Sequence, residues 1–208
     1  MDNLPNINDI SKLSPCDYAD ALNREHWMHY TIRALHQNLG RIAGPAYTVK
    51  CEAGDHLMLH AAIYAAKPGD IIVAQADDSF ALAGGNVCAI AQQRGIKGFV
   101  IDGVIRDLAE VREMGFPVFA KGVVPKPGKK QSIESMQVTI SCGGASVRPD
   151  DIIVADEEGI GVIPKEQCAE VYAIALKRAQ SDASMSLEQW QTKHQSLIEN
   201  KLKELAKA

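Results

Sequence analysis

Residues 71–120 alternate between unbroken apolar runs and stretches of helical spacing, which leaves few folds open. Lys67-Pro68-Gly69-Asp70 is a turn, and Ile71, Ile72, Val73 and Ala74 follow as an unbroken apolar run. Residues 86–94 read as a helix that Gly95 stops, because glycine takes the left-handed conformation that ends helices. Lys97-Gly98 then turns the chain into Phe99-Val100-Ile101, a second unbroken run of the kind a buried strand carries. Residues 107–114 predict a short helix ended by Gly115, and residues 116–120 a further strand. Such strand–helix alternation predicts an α/β architecture.

The flanks fit the same class. Ser14 caps a helix that has Pro15 in its first turn and is expected to reach about Leu22. Residues 45–50 alternate like a strand, and residues 55–66 have helical spacing. Beyond residue 137 the pattern changes to short strands, 138–142, 145–147, 152–155 and 161–163, separated by Gly, Pro and Asp turns. Asp156-Glu157-Glu158-Gly159 reads as a solvated hairpin tip. Pro164 opens a helix over 165–179. A small-polar hinge at 181–186 precedes a capping box of Ser186 and Gln189. Leu187, Trp190, His194, Leu197 and Lys201 share one face of the last helix, which packs either on a neighbouring subunit or on its own domain. The expected division is a domain at 1–180 and a C-terminal helical extension at 181–208.

Composition removes several function classes. Aromatic residues are 5% of the chain, so the core must be Ala, Val, Ile and Leu. Net charge is -4 and no basic stripe with interleaved aromatics occurs, so no nucleic-acid partner is expected. The basic cluster at 126–130 reads as a solvated loop. No apolar run is long enough to span a membrane, and no secretory leader is expected. The five cysteines, Cys16, Cys51, Cys88, Cys142 and Cys168, are odd in number and lack a Cys-x-x-Cys spacing. They suit a reducing cytoplasm rather than a disulfide frame or zinc site. Cys88 and Cys142 read as buried core thiols, with nucleophilic chemistry as the alternative. Neither a Gly-x-Gly-x-x-Gly after a strand nor a P-loop is present.

Two loops carry the candidate chemistry. Gly84-Gly85-Asn86 lies between a strand and a helix, where free N–H groups and the helix dipole form an anion site. The other is Ile101-Asp102-Gly103-Val104-Ile105-Arg106-Asp107-Leu108-Ala109-Glu110, at the carboxyl end of a buried strand, where α/β folds bind ligands. Arg106 offers a planar fork for a carboxylate or oxo acid. Asp107 and Glu110 are three residues apart and share a helical face, suiting Mg²⁺, which is held by one or two carboxylates plus waters. The plainer reading is that these acids only complement the helix dipole. Twenty residues separate Gly85 from Arg106, enough for one helix and one strand, so both loops are expected at one cleft. His56 and His60, four apart on a helix, read as core or cleft-wall histidines, with a shared metal as the alternative.

The chain resembles the RraA-like family, which includes 4-hydroxy-4-methyl-2-oxoglutarate aldolases and regulator-of-ribonuclease-E-like proteins. The resemblance runs from about Ser14 to Glu170. It rests on Asp17-Tyr18-Ala19-Asp20-Ala21-Leu22, Gly44-Pro45-Ala46-Tyr47-Thr48-Val49, His60-Ala61-Ala62-Ile63, Pro68-Gly69-Asp70 and Arg94-Gly95. Further matches are Asp102-Gly103 with Arg106-Asp107, Pro117-Val118-Phe119-Ala120-Lys121-Gly122, and 156–164. It implies an αββα sandwich of the swivelling-domain-like type and assembly as a homotrimer or homohexamer with the site at a subunit interface. It also implies a class II pyruvate aldolase dependent on a divalent metal, Mg²⁺ or Mn²⁺. By that resemblance Arg106 and Asp107 are catalytic. Gly84, Gly85, Asn86, Val87 and Arg106 bind a small 2-oxo acid, and Asp107 anchors the metal through waters. Established aldolases of the family carry Asp where this chain has Gly85, and Glu110 is the candidate substitute as metal partner. The expected activity is cleavage of 4-hydroxy-2-oxo acids to pyruvate, decarboxylation of oxaloacetate, or both. A non-catalytic protein-binding module like the ribonuclease regulators is the alternative.

Overall fold

The unbroken apolar runs arise because both faces of the central strands are covered. The computed structural model describes residues 5–206. Residues 1–4 and 207–208, the outer ends of the two expected units, lie outside the described residues. In chain order the elements are α1 (Ile7–Ile10), α2 (Pro15–Tyr18), β1 (Arg33–Ala34), β2 (Ile42–Lys50), α3 (Leu57–Ala65), β3 (Ile71–Gln75), α4 (Gly85–Gln93), β4 (Gly98–Ile105) and α5 (Leu108–Met114). There follow β5 (Val118–Val123), β6 (Ile140–Cys142), β7 (Ala145–Val147), β8 (Ile152–Asp156), β9 (Gly159–Ile163), α6 (Cys168–Ala183) and α7 (Leu187–Leu205).

Seven strands form one sheet in the order β1-β5-β4-β3-β2-β8-β9, and β6-β7 form a separate hairpin. β2, β3, β4 and β5 are parallel neighbours, while β1, β8 and β9 join antiparallel. The sheet curls until β1 and β9 approach each other, leaving it nearly closed.

Strand parity then sorts the side chains, since alternate residues point to opposite faces. Ile71, Val73, Val100 and Phe119 face an inner core shared with Cys142, Val147, Ile153 and Val162. Their neighbours Ile72, Ala74, Phe99, Ile101, Val118 and Ala120 face outward, where α3, α4 and α5 cover them through Leu59, Ile63, Cys88, Ala91 and Val111. On the other wall Ile152, Val154 and Ile163 meet α1, α2 and α6 through Ile10, Tyr18, Cys168 and Val171. Helices therefore flank a sheet folded on itself, the expected αββα layering.

Several boundaries differ from expectation for identifiable reasons. β5 begins at Val118, not residue 116, because Pro117 has no N–H to extend the ladder; its carbonyl still accepts from the Phe99 N–H at 2.9 Å. β4 runs on to Ile105 across a register shift between Ile101 and Val104. The helix capped by Ser14 carries the capping box with Asp17 but ends at Tyr18, short of Leu22. α6 begins at Cys168 after a 3-10 turn at Lys165–Gln167. The Ser186–Gln189 capping box is present, and every residue of α7 is exposed. The acidic stretch 156–159 is the turn between β8 and β9. Among the described residues no helix is long and apolar enough to cross a membrane.

Candidate active site

The two candidate loops meet because the segment before α4 lies alongside the end of β4. Ala81 bridges to Val104 in parallel register, the Leu82 N–H donates to Val104 O at 3.0 Å, and the Arg106 N–H donates to Ala83 O at 2.9 Å. This short ladder delivers Gly84 and Gly85 to Arg106 and Asp107.

Asp107 is the residue before α5, and it holds a left-handed backbone with φ 56° and ψ 39°. The expected helix start at Asp107 therefore moves to Leu108. Aspartate tolerates this region better than most residues, yet strained non-glycine backbone costs about 1–3 kcal/mol and concentrates at active sites. The conformation frees the carboxylate from capping its own helix. Instead Asp107 Oδ2 accepts the Gly85 N–H at 3.1 Å, at the N-terminus of α4, and sits 3.4 Å from Arg106 Nε. The ion pair is exposed and contributes about 0–1 kcal/mol, so stability does not explain the arrangement.

The glycines are explained by what surrounds them. A Cβ at Gly84 would overlap Asp107 Oδ2 and stand 3.2 Å from Arg106 Nε. A Cβ at Gly85 would overlap Glu110 Oε2. Both carboxylates thus occupy side-chain space that the double glycine vacates. Gly85 was expected to receive a substrate carboxylate, but its N–H is directed to Asp107. Asn86 and Val87 remain as the helix-terminal N–H groups with no acceptor among the described residues.

A cavity of about 60 Å³ lies at this junction. Gly84, Asn86, Val87, Arg106 and Asp107 line it, joined by His56 and His60. Glu110 stands beside it, against Gly85, rather than in its wall. Asp102 lies outside the cavity and pins the β6-β7 hairpin, accepting the Gly143 N–H at 2.8 Å and pairing with Lys121 at 2.7 Å. Cys88 and Cys142 are fully buried; burial pushes the Cys88 thiol up to about 12 and Cys142 higher still, so both are core thiols. His56 and His60 both line the cavity wall, and among the described residues no three His, Cys, Asp or Glu side chains are grouped to hold a metal ion.

The basic loop is more than a solvated connection. Its lysines are exposed, but the backbone just after it is pinned by Asp55, a buried carboxylate that accepts the N–H groups of Gln131 at 2.6 Å and Ser132 at 3.1 Å as well as that of Leu57 in α3 at 2.8 Å. Burial pushes this carboxyl up, yet the three N–H donors outweigh it and hold it below the usual range. Pro127 of the same loop lines the cavity. Asp55→Ala should lower stability by about 2 kcal/mol, since three N–H groups lose an ionised acceptor. Urea unfolding measures this, and an unchanged midpoint would show that the strap is not holding the loop. Sequence reading missed it because its contacts span up to 77 residues; the only local sign is an Asp just before a helix.

The RraA-like family (Aldolase/RraA) matches residues 15–162, well over half of the chain. The chain belongs to the RraA-like family. A relative from Halalkalibacterium halodurans, named a candidate 4-hydroxy-4-methyl-2-oxoglutarate aldolase, is 42% identical over 166 residues, covering 79% of each chain. A Burkholderia multivorans protein of the same designation is 34% identical over 58% of this chain and 74% of its own. Among solved structures, an uncharacterised protein from Pseudomonas syringae superposes with TM-score 0.79 at 26% identity, covering 90% of this chain and 92% of that one. Streptomyces coelicolor RraAS2, described as an unusual member of the RNase ES inhibitor RraA family, superposes with TM-score 0.76 at 26% identity, covering 85% and 94%. The double-glycine junction and the Arg106-Asp107 pair both fall inside the matched residues of this RraA-like chain.

Proposed function

We propose that the protein is a divalent-metal-dependent carbon–carbon lyase. It cleaves 4-hydroxy-2-oxo acids, such as 4-hydroxy-4-methyl-2-oxoglutarate, to pyruvate, decarboxylates oxaloacetate, or does both, in each case through a pyruvate enolate. The observation that carries this reading is the convergence of Arg106, Asp107 and the α4 N-terminus on one cavity.

The chemistry follows from charge. A 2-oxo acid presents a carboxylate, which the N–H groups of Asn86 and Val87 and the positive end of α4 suit. Breaking the C3–C4 bond places negative charge on the 2-oxo oxygen. Arg106, a permanent cation lining the cavity, stabilises that charge where it develops. Asp107 sets the position of the Arg106 fork and ties it to Gly85.

The donor set fits a hard, hydrated cation. Asp107 and Glu110 present carboxylate oxygens to adjacent positions, 84 and 85, at the end of α4. Mg²⁺ or Mn²⁺ suits one or two carboxylates with water filling the other positions. Asp107 would hold the ion and Glu110 would assist it in place of an acid at position 85. When bound, the ion supplies further positive charge for enolate stabilisation.

Arg106, Asp107 and Glu110 are exposed in the protomer, and the cavity is small for a substrate pocket. Both features support a trimer or hexamer in which a second copy completes the wall. Five free thiols support a reducing, cytoplasmic setting.

Purified protein should release pyruvate from oxaloacetate or a 4-hydroxy-2-oxo acid with Mg²⁺ or Mn²⁺ present, and lose that activity with a chelator. Absence of pyruvate from both substrates sinks the lyase reading. A second reading, a protein-binding regulator, is favoured by the likeness to RraAS2. It expects no calorimetric Mg²⁺ binding and a co-purifying partner protein.

A further inference from the structure

We propose that His56 is the base that takes the proton from the substrate's 4-hydroxyl. This assignment rests on the lyase reading above and supplies the group that the retro-aldol reaction needs beyond Arg106 and Asp107.

The geometry begins with two stacked imidazoles. His56 and His60 rings lie 4.3 Å apart with planes 17° from parallel, at the start of α3, and both line the cavity. His56 Nδ1 is 3.5 Å from Ala81 O, and His60 Nε2 is 3.2 Å from Leu82 O. A carbonyl oxygen only accepts, so each of those nitrogens carries a hydrogen. His56 Nε2 and His60 Nδ1 are left as bare lone pairs, the form a base requires. Ala81 and Leu82 belong to the segment that runs into Gly84 and Gly85. One stretch of backbone therefore orients the imidazoles and positions the anion site.

The remaining groups that this protomer brings to the cavity do not compete. Arg106 is a permanent cation, and Asp107 is already engaged by Gly85 and Arg106. The other lining side chains are Ala, Gly, Val, Pro and Asn, none of which takes a proton. Between the histidines, His60 is the weaker base: burial and then the neighbouring His56 push it down to about 4. Burial lowers His56 as well; the Ala81 carbonyl and Asp55 pull the other way, but with Lys130 and Arg106 added the net shift is downward, which favours the neutral imidazole.

His56 Nε2 takes the hydroxyl proton, and the O–H electron pair becomes the C4 carbonyl. The C3–C4 bond breaks, and its pair forms the enolate with charge on the 2-oxo oxygen. The imidazolium then returns the proton to C3, giving pyruvate and neutral His56. Oxaloacetate has no 4-hydroxyl: its C4 leaves as carbon dioxide, no base is needed for bond cleavage, and C3 of the enolate takes its proton from water.

The two reactions therefore separate a base from a structural residue. With Mg²⁺ present, His56→Gln and His56→Asn should lower retro-aldol kcat by about 10²–10³-fold, in the range of general-base catalysis. Decarboxylation should fall far less, so the ratio of the two rates shifts at least about tenfold. Independently of turnover, ¹⁵N NMR of the folded wild type should show His56 protonated at Nδ1. Equal losses in both reactions, or an Nε2-protonated His56, overturn the proposal. Wild-type protein that decarboxylates but never cleaves a hydroxy acid overturns the base assignment alone. Release of pyruvate from neither substrate overturns the lyase reading itself. Thermal unfolding of both variants shows whether either loss is merely misfolding.

Discussion

Arg106→Ala should lower kcat for pyruvate formation by about 10²–10³-fold while leaving the unfolding midpoint nearly unchanged. The two halves of that expectation come from different observations. The Arg106 side chain is 44% exposed, and its ion pair with Asp107 is the solvated kind that contributes about 0–1 kcal/mol. The backbone bond from Arg106 N–H to Ala83 O, which ties β4 to the glycine loop, survives the substitution. Stability therefore has little to lose. On the proposed lyase reading, catalysis loses a fixed cation beside the developing enolate, and removing one such group from an oxyanion site costs about 2.7–4 kcal/mol in the transition state. Arg106→Lys should recover only part of the loss, because an ammonium lacks the planar fork. Steady-state kinetics with oxaloacetate checks both variants. A kcat within severalfold of wild type in Arg106→Ala would remove Arg106 from the chemistry and with it the main support for a lyase.

The core was legible in the sequence because its pattern is local. Continuous apolar runs at 71–74 and 99–101 require two covered faces, and the odd and even residues do pack in different cores. The αββα layering followed from the family resemblance, and the sheet's curl produces it. The site was legible only in part. Spacing suggested that residues 84–86 and 106–110 meet, but not that Ala81, Leu82 and Ala83 run beside β4 and force the meeting. Nor does any local pattern signal the left-handed backbone of Asp107, which turns its carboxylate from its own helix to another's N-terminus. His56 and His60 read as core or cleft-wall residues, and they line the cleft; the carbonyls that orient their rings lie more than twenty residues away. Long-range hydrogen bonds set these features, and one sequence does not display them.

Gly84→Ala should cost about 10²-fold in kcat/KM, the scale of loss when catalytic groups shift by about 1 Å. Gly84 has φ -155°, extended backbone that alanine adopts freely, so the chain itself is not strained. The added Cβ instead overlaps Asp107 Oδ2 and crowds Arg106 Cγ at 3.0 Å and Nε at 3.2 Å, so both groups must move together. Stability should change by less than about 1 kcal/mol, because exposed side chains yield more easily than a packed core. Gly85→Ala provides the contrast. Its Cβ meets chiefly the carboxylate of Glu110, with the Glu110 Cβ at 3.2 Å, and that exposed side chain can swing its carboxylate away. The fold should tolerate it, but the Glu110 carboxylate leaves its place. If Glu110 helps hold Mg²⁺, Gly85→Ala and Glu110→Ala should weaken Mg²⁺ binding equally, and the double variant should be no worse than either. Gly85→Asp combined with Glu110→Ala should restore the affinity by returning one carboxylate to the same space. Calorimetric titration with Mg²⁺ decides between the cases. Additive losses would show that Glu110 acts elsewhere, and a Gly84→Ala protein with wild-type kinetics would show that Asp107 and Arg106 need not stand where the double glycine lets them.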